Sequence, residues 1–314
     1  MARRAFTAVV IAFFILALRA SCVSAAANAD LLQIHHINVG WGDATFIEFP
    51  DGTTWLIYQA FSTSDGGMIY DYITGLGYTH VDYVISSHFH SDHIGGVDMV
   101  IGSGLLSYST AAYQHIGSQI GGDSSATATW RGLVDGSWGP AAAAPSPGTT
   151  STFGGVTVQN ICVGDTNNSR SQLVDGTYVN GLSSTDENMY SLGWRMSWNG
   201  FDYYTSGDLT SAVEDTLDTK IASNNFDVVK LSHHGSATAT SLSYCQTMHP
   251  KVAIAFIGAN NSFVHPNSGT VDHLNDASWA GVNWLYCTTA GSSSPAAVSN
   301  QSYASPSSSA IIVT

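Results

Sequence analysis

Basic residues are scarce in this chain. Its 314 residues include 9 Lys and Arg against 23 Asp and Glu, which gives a formal net charge of −14 at pH 7. No cluster of Lys or Arg interrupts the acidity, and such a charge repels nucleic acid and anionic membrane surfaces. The composition therefore disfavours a processive DNA-binding role and predicts that nucleic acid is not a partner.

Cysteine is also rare, with 4 residues, and none has the paired spacing of a thiolate metal site. Cys22 lies in the N-terminal apolar segment, which leaves Cys162, Cys245 and Cys287. Cys162 lies in the alternating apolar run 156–163 and is expected to be buried. We predict a disulfide between Cys245 and Cys287. The equally open alternative is that an odd cysteine remains a free thiol.

Long hydrophobic runs are absent except at the N-terminus. Residues 1–29 combine a basic start, an apolar stretch at 8–18 and small residues that end in Ala27-Asn28-Ala29. This order predicts a secretory signal peptide cleaved before Asp30, and an uncleaved anchor is the alternative. The mature protein is expected to be secreted or periplasmic, without stable membrane insertion. Cleavage would leave 6 basic residues against 23 acidic ones, a net charge of −17, because it removes Arg3, Arg4 and Arg19.

A hydrophobic fraction of 44% is enough for a buried core, and no internal repeat divides the chain. We therefore predict one domain over residues 30–314. Composition leaves residues 310–313 equally open between a last strand and a frayed end. Hydrophobic periodicity predicts helices at 68–76, 94–100 and 211–221 and strands at 33–39, 44–49, 54–58, 81–85, 105–113, 156–163, 190–197, 201–205, 227–231 and 252–257. Strands alternating with helices in this order predict a layered α/β sandwich with the active loops at one sheet edge.

Two segments rich in small residues punctuate this pattern. Residues 117–152 are rich in Gly, Ser, Ala and Pro, which predicts a surface insertion near the mouth of the cleft or an inert linker. Residues 291–309 form a Ser/Ala/Pro-rich segment before the last predicted strand.

Three histidines and an aspartate fall within residues 87–93, directly after the apolar run 81–85. A polar turn after a strand points such side chains into a cleft, where zinc prefers nitrogen and carboxylate oxygen. The H-x-H-x-D-H spacing is therefore a metal-site hypothesis, and its alternative is a His-rich surface loop. Two later motifs, Ser206-Gly207-Asp208 and His233-His234-Gly235-Ser236, each follow a predicted strand and add further donors.

With these motifs the sequence resembles the metallo-β-lactamase fold superfamily, from about residue 34 to the C-terminus. Within it the chain is similar to the ComEC-like branch, the soluble hydrolase domain of DNA-uptake proteins, and to phosphorylcholine esterases. The resemblance implies a four-layer αββα sandwich with two Zn²⁺ ions, Mn²⁺ being the alternative. It also implies the metal ligands, with Asp208 bridging: His88, His90, Asp92, His93, Asp208 and His234.

The resemblance leaves some positions open. The first ion lacks its third ligand, and His115 is not favoured for that place. Asn188, in a motif similar to an asparagine-serine motif of ComEC-like sequences, and His233 are candidate substrate contacts. The reverse roles of His233 and His234 remain an alternative. His265 matches a histidine-proline pair and is a candidate donor to the leaving group, or simply a loop histidine.

A stretch near the N-terminus departs from the ComEC-like pattern. Residues 39–44 match V-G-Q-G-D-A closely, but residues 56–60 lack the acid and the glycine of L-I-D-x-G. Neither stretch is expected to supply a metal ligand.

The functional hypothesis is an exported metal-dependent hydrolase, with phosphodiesters of small molecules or head groups as substrates. Two ions would make a bridging water acidic enough to act as hydroxide, which Asp92 would orient. The alternatives are an extracellular nuclease, a lactone or β-lactam hydrolase, and a non-catalytic binding module with a degenerate site. The sequence leaves the oligomeric state open.

Overall fold

A computed structural model describes residues 30–102, 105–221, 225–258, 262–279, 281–289, 302–303 and 310–314. The predicted signal peptide (1–29) and most of the segment 291–309 lie outside these residues. Within the described ranges, every helix is too short or too polar to cross a bilayer.

The elements alternate along the chain. The strands are β1 Gln33–Ile37, β2 Thr45–Glu48, β3 Thr54–Ile57, β4 His80–Ile85, β5 Ser107–Tyr113, β6 Thr150–Phe153, β7 Val156–Asp165, β8 Arg170–Leu173, β9 Tyr178–Asn180, β10 Gly193–Trp198, β11 Phe201–Thr205, β12 Val228–Lys230, β13 Val252–Ala255, β14 Trp284–Cys287, β15 Ser302–Tyr303 and β16 Ala310–Val313. The helices are α1 Thr63–Gly75, α2 Ser91–Ile94, α3 Val97–Val100, α4 Ser125–Leu133, α5 Ser211–Ile221, α6 Leu242–Met248 and α7 Ser268–Leu274.

The strands form two sheets. The first has the order β16-β1-β2-β3-β4-β5, and the second runs β15-β14-β13-β12-β11-β10-β7-β8-β9 with β6 paired to β7. Strands β3 to β5 are parallel, as are β11 to β15. Parallel strands end at the same edge of their sheet, where ligands bind in open α/β folds.

Helices and sheets form four layers, and a hydrophobic core lies between each adjacent pair of layers. Helices α1, α3 and α4 pack on one face of the first sheet, where Ile69, Val97 and Trp130 meet the strand residues Leu56 and Val84. The other face packs on the second sheet through a core that includes Trp55, Ile85, Trp194, Met196 and Tyr203. Because strand side chains alternate in direction, one strand serves two cores.

Helices α5, α6 and α7 cover the outer face of the second sheet. Val213, Tyr244 and Val271 from these helices pack on Tyr204 and Val229. Each such fully buried apolar side chain contributes on the order of 1.5–3 kcal/mol. The predicted αββα sandwich is confirmed.

Several predicted boundaries differ from the structure for local reasons. Helix α1 begins five residues before the predicted start because the Ser62 side chain accepts a hydrogen bond from the Asp65 N–H and caps it. The predicted helix 94–100 is instead the pair α2 and α3, interrupted at Gly95 and Gly96. The backbone N–H of Gly96 donates to the Gln59 carbonyl at 2.7 Å, and a side chain at Gly96 would collide with that carbonyl.

The segment 117–152 contributes to the fold, unlike the predicted insertion. It contains α4, whose Trp130 is fully buried in the first helix-sheet core. It also contains β6, which pairs antiparallel with β7. The composition of this segment, rich in small residues, therefore did not indicate its short helix and edge strand.

The predicted Cys245–Cys287 disulfide is wrong. Cys162, Cys245 and Cys287 are all buried thiols, and all three belong to the core beneath helices α5 to α7. Here the cysteines act as small apolar residues. Burial raises the pKa of the Cys162 thiol to about 12, with a smaller opposing effect of its hydrogen bond with Ser171.

Candidate metal centre

Loops at the carboxyl ends of parallel strands bring the predicted site residues together. Residues 87–93 follow β4, Asp208 follows β11 and His234 follows β12. Asp92, His93, Asp208 and His234 form one cluster in which a ligand atom of each lies within 4.8 Å of the others. The sequence predicts Asp92 and His93 as ligands of one ion. It predicts Asp208 as the bridging carboxylate and His234 as the last ligand.

The contacts within the cluster are short. His93 Nε2 lies 3.1 Å from Asp208 Oδ1, and His234 Nε2 lies 3.1 Å from Asp92 Oδ2 and 3.4 Å from Asp208 Oδ2. Burial alone would raise the pKa of Asp208, but the charges of His93 and His234 hold it well below its usual value. Asp208 is therefore a carboxylate at neutral pH.

The backbone at the two adjacent histidines is left-handed. His233 has φ 50° and His234 has φ 54°, a conformation that costs roughly 1–3 kcal/mol for each residue with a side chain. The turn is held because the His233 N–H donates to the Gly207 carbonyl at 3.2 Å and the Ser236 N–H to the His233 carbonyl at 2.7 Å. This conformation separates the two rings, so that only His234 joins the cluster.

Asp43 and Lys230 lie beneath the cluster, and both side chains are fully buried. Asp43 Oδ1 lies 3.1 Å from His234 Nδ1, and Asp43 Oδ2 lies 3.7 Å from His93 Nδ1. The Lys230 ammonium contacts Asp43 directly and lies 3.6 Å from Asp208 Oδ1. A carboxylate at Nδ1 fixes the imidazole orientation and leaves Nε2 available to a metal.

Electrostatics keep this pair charged despite its burial. Burial acts to lower the pKa of Lys230, but the carboxylates of Asp43 and Asp208 raise it above its usual value. Burial likewise acts to raise the pKa of Asp43, whereas Lys230 and His234 lower it. The site therefore contains a fixed internal cation.

His88 and His90 lie beside the four-residue cluster rather than in it. His88 Nε2 is 3.0 Å from His90 Nδ1, and the His88 and His93 ring centroids are 4.3 Å apart. His88 Nδ1 is 2.9 Å from the Ser87 hydroxyl and 3.3 Å from that of Ser191. Burial holds the pKa of His88 well below its usual value, which suits a neutral ligand.

A buried carboxylate anchors the loop that carries these histidines. Glu187 Oε1 accepts hydrogen bonds from the Phe89 N–H at 2.9 Å and from His115 Nε2 at 2.8 Å. Its Oε2 accepts from the Ile120 N–H at 2.7 Å. Nε2 of His115 is therefore occupied by Glu187, and the structure does not bring this histidine into the cluster.

The cluster opens into a cavity of about 320 Å³. His233, His265 and Asn188, the candidate substrate contacts, line it together with His90 and Asp92. The Asn188 amide nitrogen lies 3.4 Å from His233 Nε2. Burial, together with the charges of His234 and His233, lowers the pKa of His265 to about 4.

Three aromatic side chains form an aromatic wall of the cavity. Trp41 lies next to Phe61 and Phe263, with ring centroids 6.5 and 6.1 Å apart. Phe61 and Phe263 are exposed at 48% and 66%. The wall offers apolar surface to a ligand bound over the metal cluster.

The residues fit a divalent cation. His93 Nε2 and Asp208 Oδ1 are buried and, within the described part of the chain, have no hydrogen-bond partner although they face each other. Buried polar atoms without partners are costly, and a cation among the four donors would satisfy them. Two imidazoles and two carboxylates are a donor set that suits zinc and also harder ions.

Sequence reasoning missed Asp43, Lys230 and the aromatic wall. Asp43 stands in the Gly-Trp-Gly-Asp turn, within a stretch that was not expected to supply a metal ligand. Lys230 follows two valines in a strand that was predicted to be buried. A lysine in such a strand is almost never buried without a partner, and that rule could have identified it.

Comparisons with known proteins agree with this geometry. A sequence profile described as the metallo-beta-lactamase superfamily matches residues 38–155. ComE operon protein 3 of Bacillus subtilis (strain 168) is 32% identical over 88 residues, which are 28% of this chain and 11% of that protein. The chain thus spans only a small part of the length of this relative.

Two solved structures are similar in fold. The metallo-beta-lactamase fold protein YhfI from Bacillus subtilis has a TM-score of 0.47 at 11% identity, over 91% of this chain and 100% of that chain. Igni18, a metallo hydrolase from the archaeon Ignicoccus hospitalis KIN4/I, has a TM-score of 0.39 at 15% identity, over 71% of this chain and 81% of that chain. Over the matched residues 38–155, which include the H-x-H-x-D-H motif, the chain is similar to the metallo-β-lactamase superfamily, and its likeness to ComE operon protein 3 makes it similar to the ComEC-like branch.

Proposed function

We propose that this metallo-hydrolase is an exported phosphodiesterase for small-molecule or head-group phosphodiesters. The observation that carries the proposal is the position of the metal cluster in a cavity of about 320 Å³ whose described lining contains no Lys or Arg. Such a volume suits a small ligand. A nucleic-acid strand is bound along a basic groove, and neither this lining nor the acidic composition favours one.

Export is proposed from the sequence of residues 1–29, which has the order of a secretory signal. We propose Zn²⁺ as the resident ion, because half of the clustered donors are imidazoles. When bound, the ion would supply Lewis acidity and lower the pKa of water.

Asp92 is placed to orient the attacking water. Its side chain reaches the cavity and is 29% exposed. Burial would raise the pKa of this carboxyl, but the charge of His93 and the hydrogen bond with His234 hold it well below its usual value. An ionised carboxylate accepts hydrogen bonds only, so Asp92 would align a water proton toward itself.

His233, His265 and Asn188 would hold the phosphoryl group. Burial lowers the pKa of His233 as well as that of His265. Both imidazoles are therefore neutral near pH 7, where each can donate one hydrogen bond to a phosphoryl oxygen. His265 then acts as a hydrogen-bond donor to the substrate rather than as a charged acid.

The aromatic wall would contact the organic part of the substrate. Trp41, Phe61 and Phe263 line the same cavity as the donors, and the Phe263 ring stacks on His265 with the ring centroids 5.8 Å apart. Partly exposed rings at a cavity mouth gain by covering apolar or π-binding groups. A head group larger than phosphate alone would therefore bind more tightly than a bare phosphate ester.

A substrate panel tests the proposal. Zinc-loaded protein is assayed with bis-p-nitrophenyl phosphate, p-nitrophenyl phosphorylcholine, single-stranded DNA and a lactone, each with and without chelator. We expect chelator-sensitive hydrolysis of both nitrophenyl diesters, restored by Zn²⁺. Lactone turnover without diester cleavage would overturn the substrate class, and faster cleavage of DNA would favour the nuclease. Zinc-loaded protein without any turnover would favour a binding module.

A further inference from the structure

The four-residue cluster is a complete donor set by itself. Asp92, His93, Asp208 and His234 can each offer one ligand atom, and the usual zinc site has four protein or water ligands. Within the described residues, this is the only group of three or more such side chains close enough to hold an ion together.

His88 and His90 do not form an equivalent second set. They contact each other through ring nitrogens at 3.0 Å, and the remaining His88 nitrogen faces two serine hydroxyls. The nearest candidate for a third ligand, His115, is hydrogen-bonded to Glu187 at 2.8 Å. An ion placed at His88 and His90 would have to share Asp208 and complete its shell with water.

The charges of the centre also count against a second ion. Asp43, Asp92 and Asp208 supply three negative charges, and Lys230 supplies one positive charge between Asp43 and Asp208. One divalent ion brings the sum to zero. A second would leave two uncompensated positive charges in a buried site, where Coulomb interactions are weakly screened.

We propose that the centre holds one divalent ion tightly, bound by Asp92, His93, Asp208 and His234. Lys230 supplies the positive charge that a second ion would otherwise bring. His88 and His90 then lie beside this ion without being its ligands, with His90 lining the cavity. This inference concerns metal binding and is independent of which ester is hydrolysed.

Metal content provides the first test. Protein is dialysed against buffers of rising free Zn²⁺ and its bound zinc is measured by elemental analysis. We expect the bound zinc of the wild-type protein to level off at one ion per chain at the free Zn²⁺ concentrations that fill the first site. His90→Ala is expected to keep that ion with unchanged affinity, whereas His234→Ala loses at least tenfold in affinity. Two ions of equal affinity in wild type, or one ion lost in His90→Ala, would overturn the proposal.

The role of Lys230 needs its own variant. Lys230→Met keeps a long unbranched side chain and removes the charge, so the cluster with one ion retains a negative charge. We expect its zinc content to rise above one per chain toward two. The matched control is Lys251→Met, because Lys251 pairs with Asp227 at 2.6 Å on the surface and is 54% exposed. This control should keep one ion.

If Lys230→Met protein folds and still binds only one ion, Lys230 does not supply the positive charge that excludes a second ion. Loss of one partner from a buried ion pair destabilises a fold strongly, so this variant could fail to fold. Lys230→Arg, which retains the charge, is then compared with wild type. It is expected to hold one ion, and two ions in Lys230→Arg would contradict the charge argument.

Discussion

Oδ1 of Asp43 lies 3.1 Å from Nδ1 of His234, and the other nitrogen of that ring faces Asp92 at 3.1 Å. The Phe256 carbonyl oxygen lies 3.2 Å from the same Nδ1, so Asp43 and this carbonyl together turn Nε2 of the imidazole toward the cluster, although neither belongs to the four donors. The same carboxylate is held in place by the buried Lys230 ammonium. Orientation and charge of the centre therefore depend on a residue outside the ligand set.

Asp43→Asn should weaken metal binding. The amide has no charge to balance Lys230, and its NH₂ group cannot accept from the imidazole or the ammonium. Loss of such an outer partner typically costs about 10- to 100-fold in metal affinity, and we expect that range in competition with a chromogenic chelator. Asp227→Asn is the control, because its partner Lys251 is on the surface, where ion pairs contribute about 0–1 kcal/mol. Equal affinities in both variants would contradict the role of Asp43.

Asp208→Ala should abolish hydrolysis while the chain still folds. The Asp208 carboxylate contacts His93, His234 and Lys230, so its loss removes a donor and the negative charge at the centre of the cluster. Phosphodiester turnover and circular dichroism are measured together, with the exposed Asp71→Ala as control. Near-native turnover in folded Asp208→Ala protein would refute the assignment.

The compact motif at residues 87–93 made the site predictable from sequence. Its residues follow β4 directly, so local order alone places them at one sheet edge. Asp208 and His234 also follow strands of a parallel set, and the resemblance selected the position of each. The sequence could not show how the loops of the two sheets meet. That arrangement brings Asp43, which lies between two strands of the first sheet, into contact with His234, which follows a strand of the second sheet.

Elements with weak hydrophobic patterns were missed. Helix α6 is only seven residues long and is defined by Ser241, whose hydroxyl accepts from the Tyr244 N–H at 3.0 Å. Strands β8 and β9 are short and lie at the end of the second sheet. By contrast, Asn-Gly between two apolar runs is a strong sequence signal of a hairpin, and Asn199-Gly200 forms that turn with Trp198 paired to Phe201.

Gly258→Ala should impair substrate binding through Trp41. A methyl group at Gly258 would lie 2.8 Å from Cδ2 of the Trp41 indole, so the ring must move away from the cavity. We expect KM for a nitrophenyl diester to rise several-fold, with zinc content unchanged, because the metal donors are not displaced. Gly67→Ala in α1, where nothing lies within 4 Å of the added methyl, is the control. An unchanged KM in Gly258→Ala would argue against the aromatic wall as a substrate contact.

Glu187→Gln should destabilise the fold and the metal loop together. The glutamine amide group must face at least one of the three donors that Glu187 now accepts, the Phe89 N–H, the Ile120 N–H and His115 Nε2. A buried donor left without an acceptor costs about 1–3 kcal/mol, and urea unfolding should show a loss of that size. Turnover should fall as well, since Phe89 lies between His88 and His90. The control is the exposed Asp98→Asn, and a loss no larger than in that variant would show that Glu187 does not anchor the loop.

Glu214 should make stability depend on pH on the acidic side of neutrality. It is fully buried on α5, and its two oxygens accept from the Ser232 hydroxyl at 2.6 Å and the Thr240 N–H at 2.8 Å. Burial raises its pKa from 4.5 to about 7, against the effect of these hydrogen bonds. The folded state therefore retains a proton that the unfolded state releases near pH 4.5, so this contribution to stability is complete below that pH and disappears as pH rises to about 7.

Over that window the carboxyl of Glu214 should account for a decrease of about 3 kcal/mol in the free energy of unfolding. Glu214→Gln cannot titrate, so its unfolding free energy should decrease less between pH 4.5 and about 7. Burial also raises the pKa of Asp218 to about 7, and Asp218→Asn should remove a separate part of the slope. The measurement is urea unfolding across this range, with the exposed Asp71→Asn as control. If Glu214→Gln kept the full wild-type slope, the carboxyl would have to be ionised in the folded protein throughout, and the buried proton assigned to it would not exist.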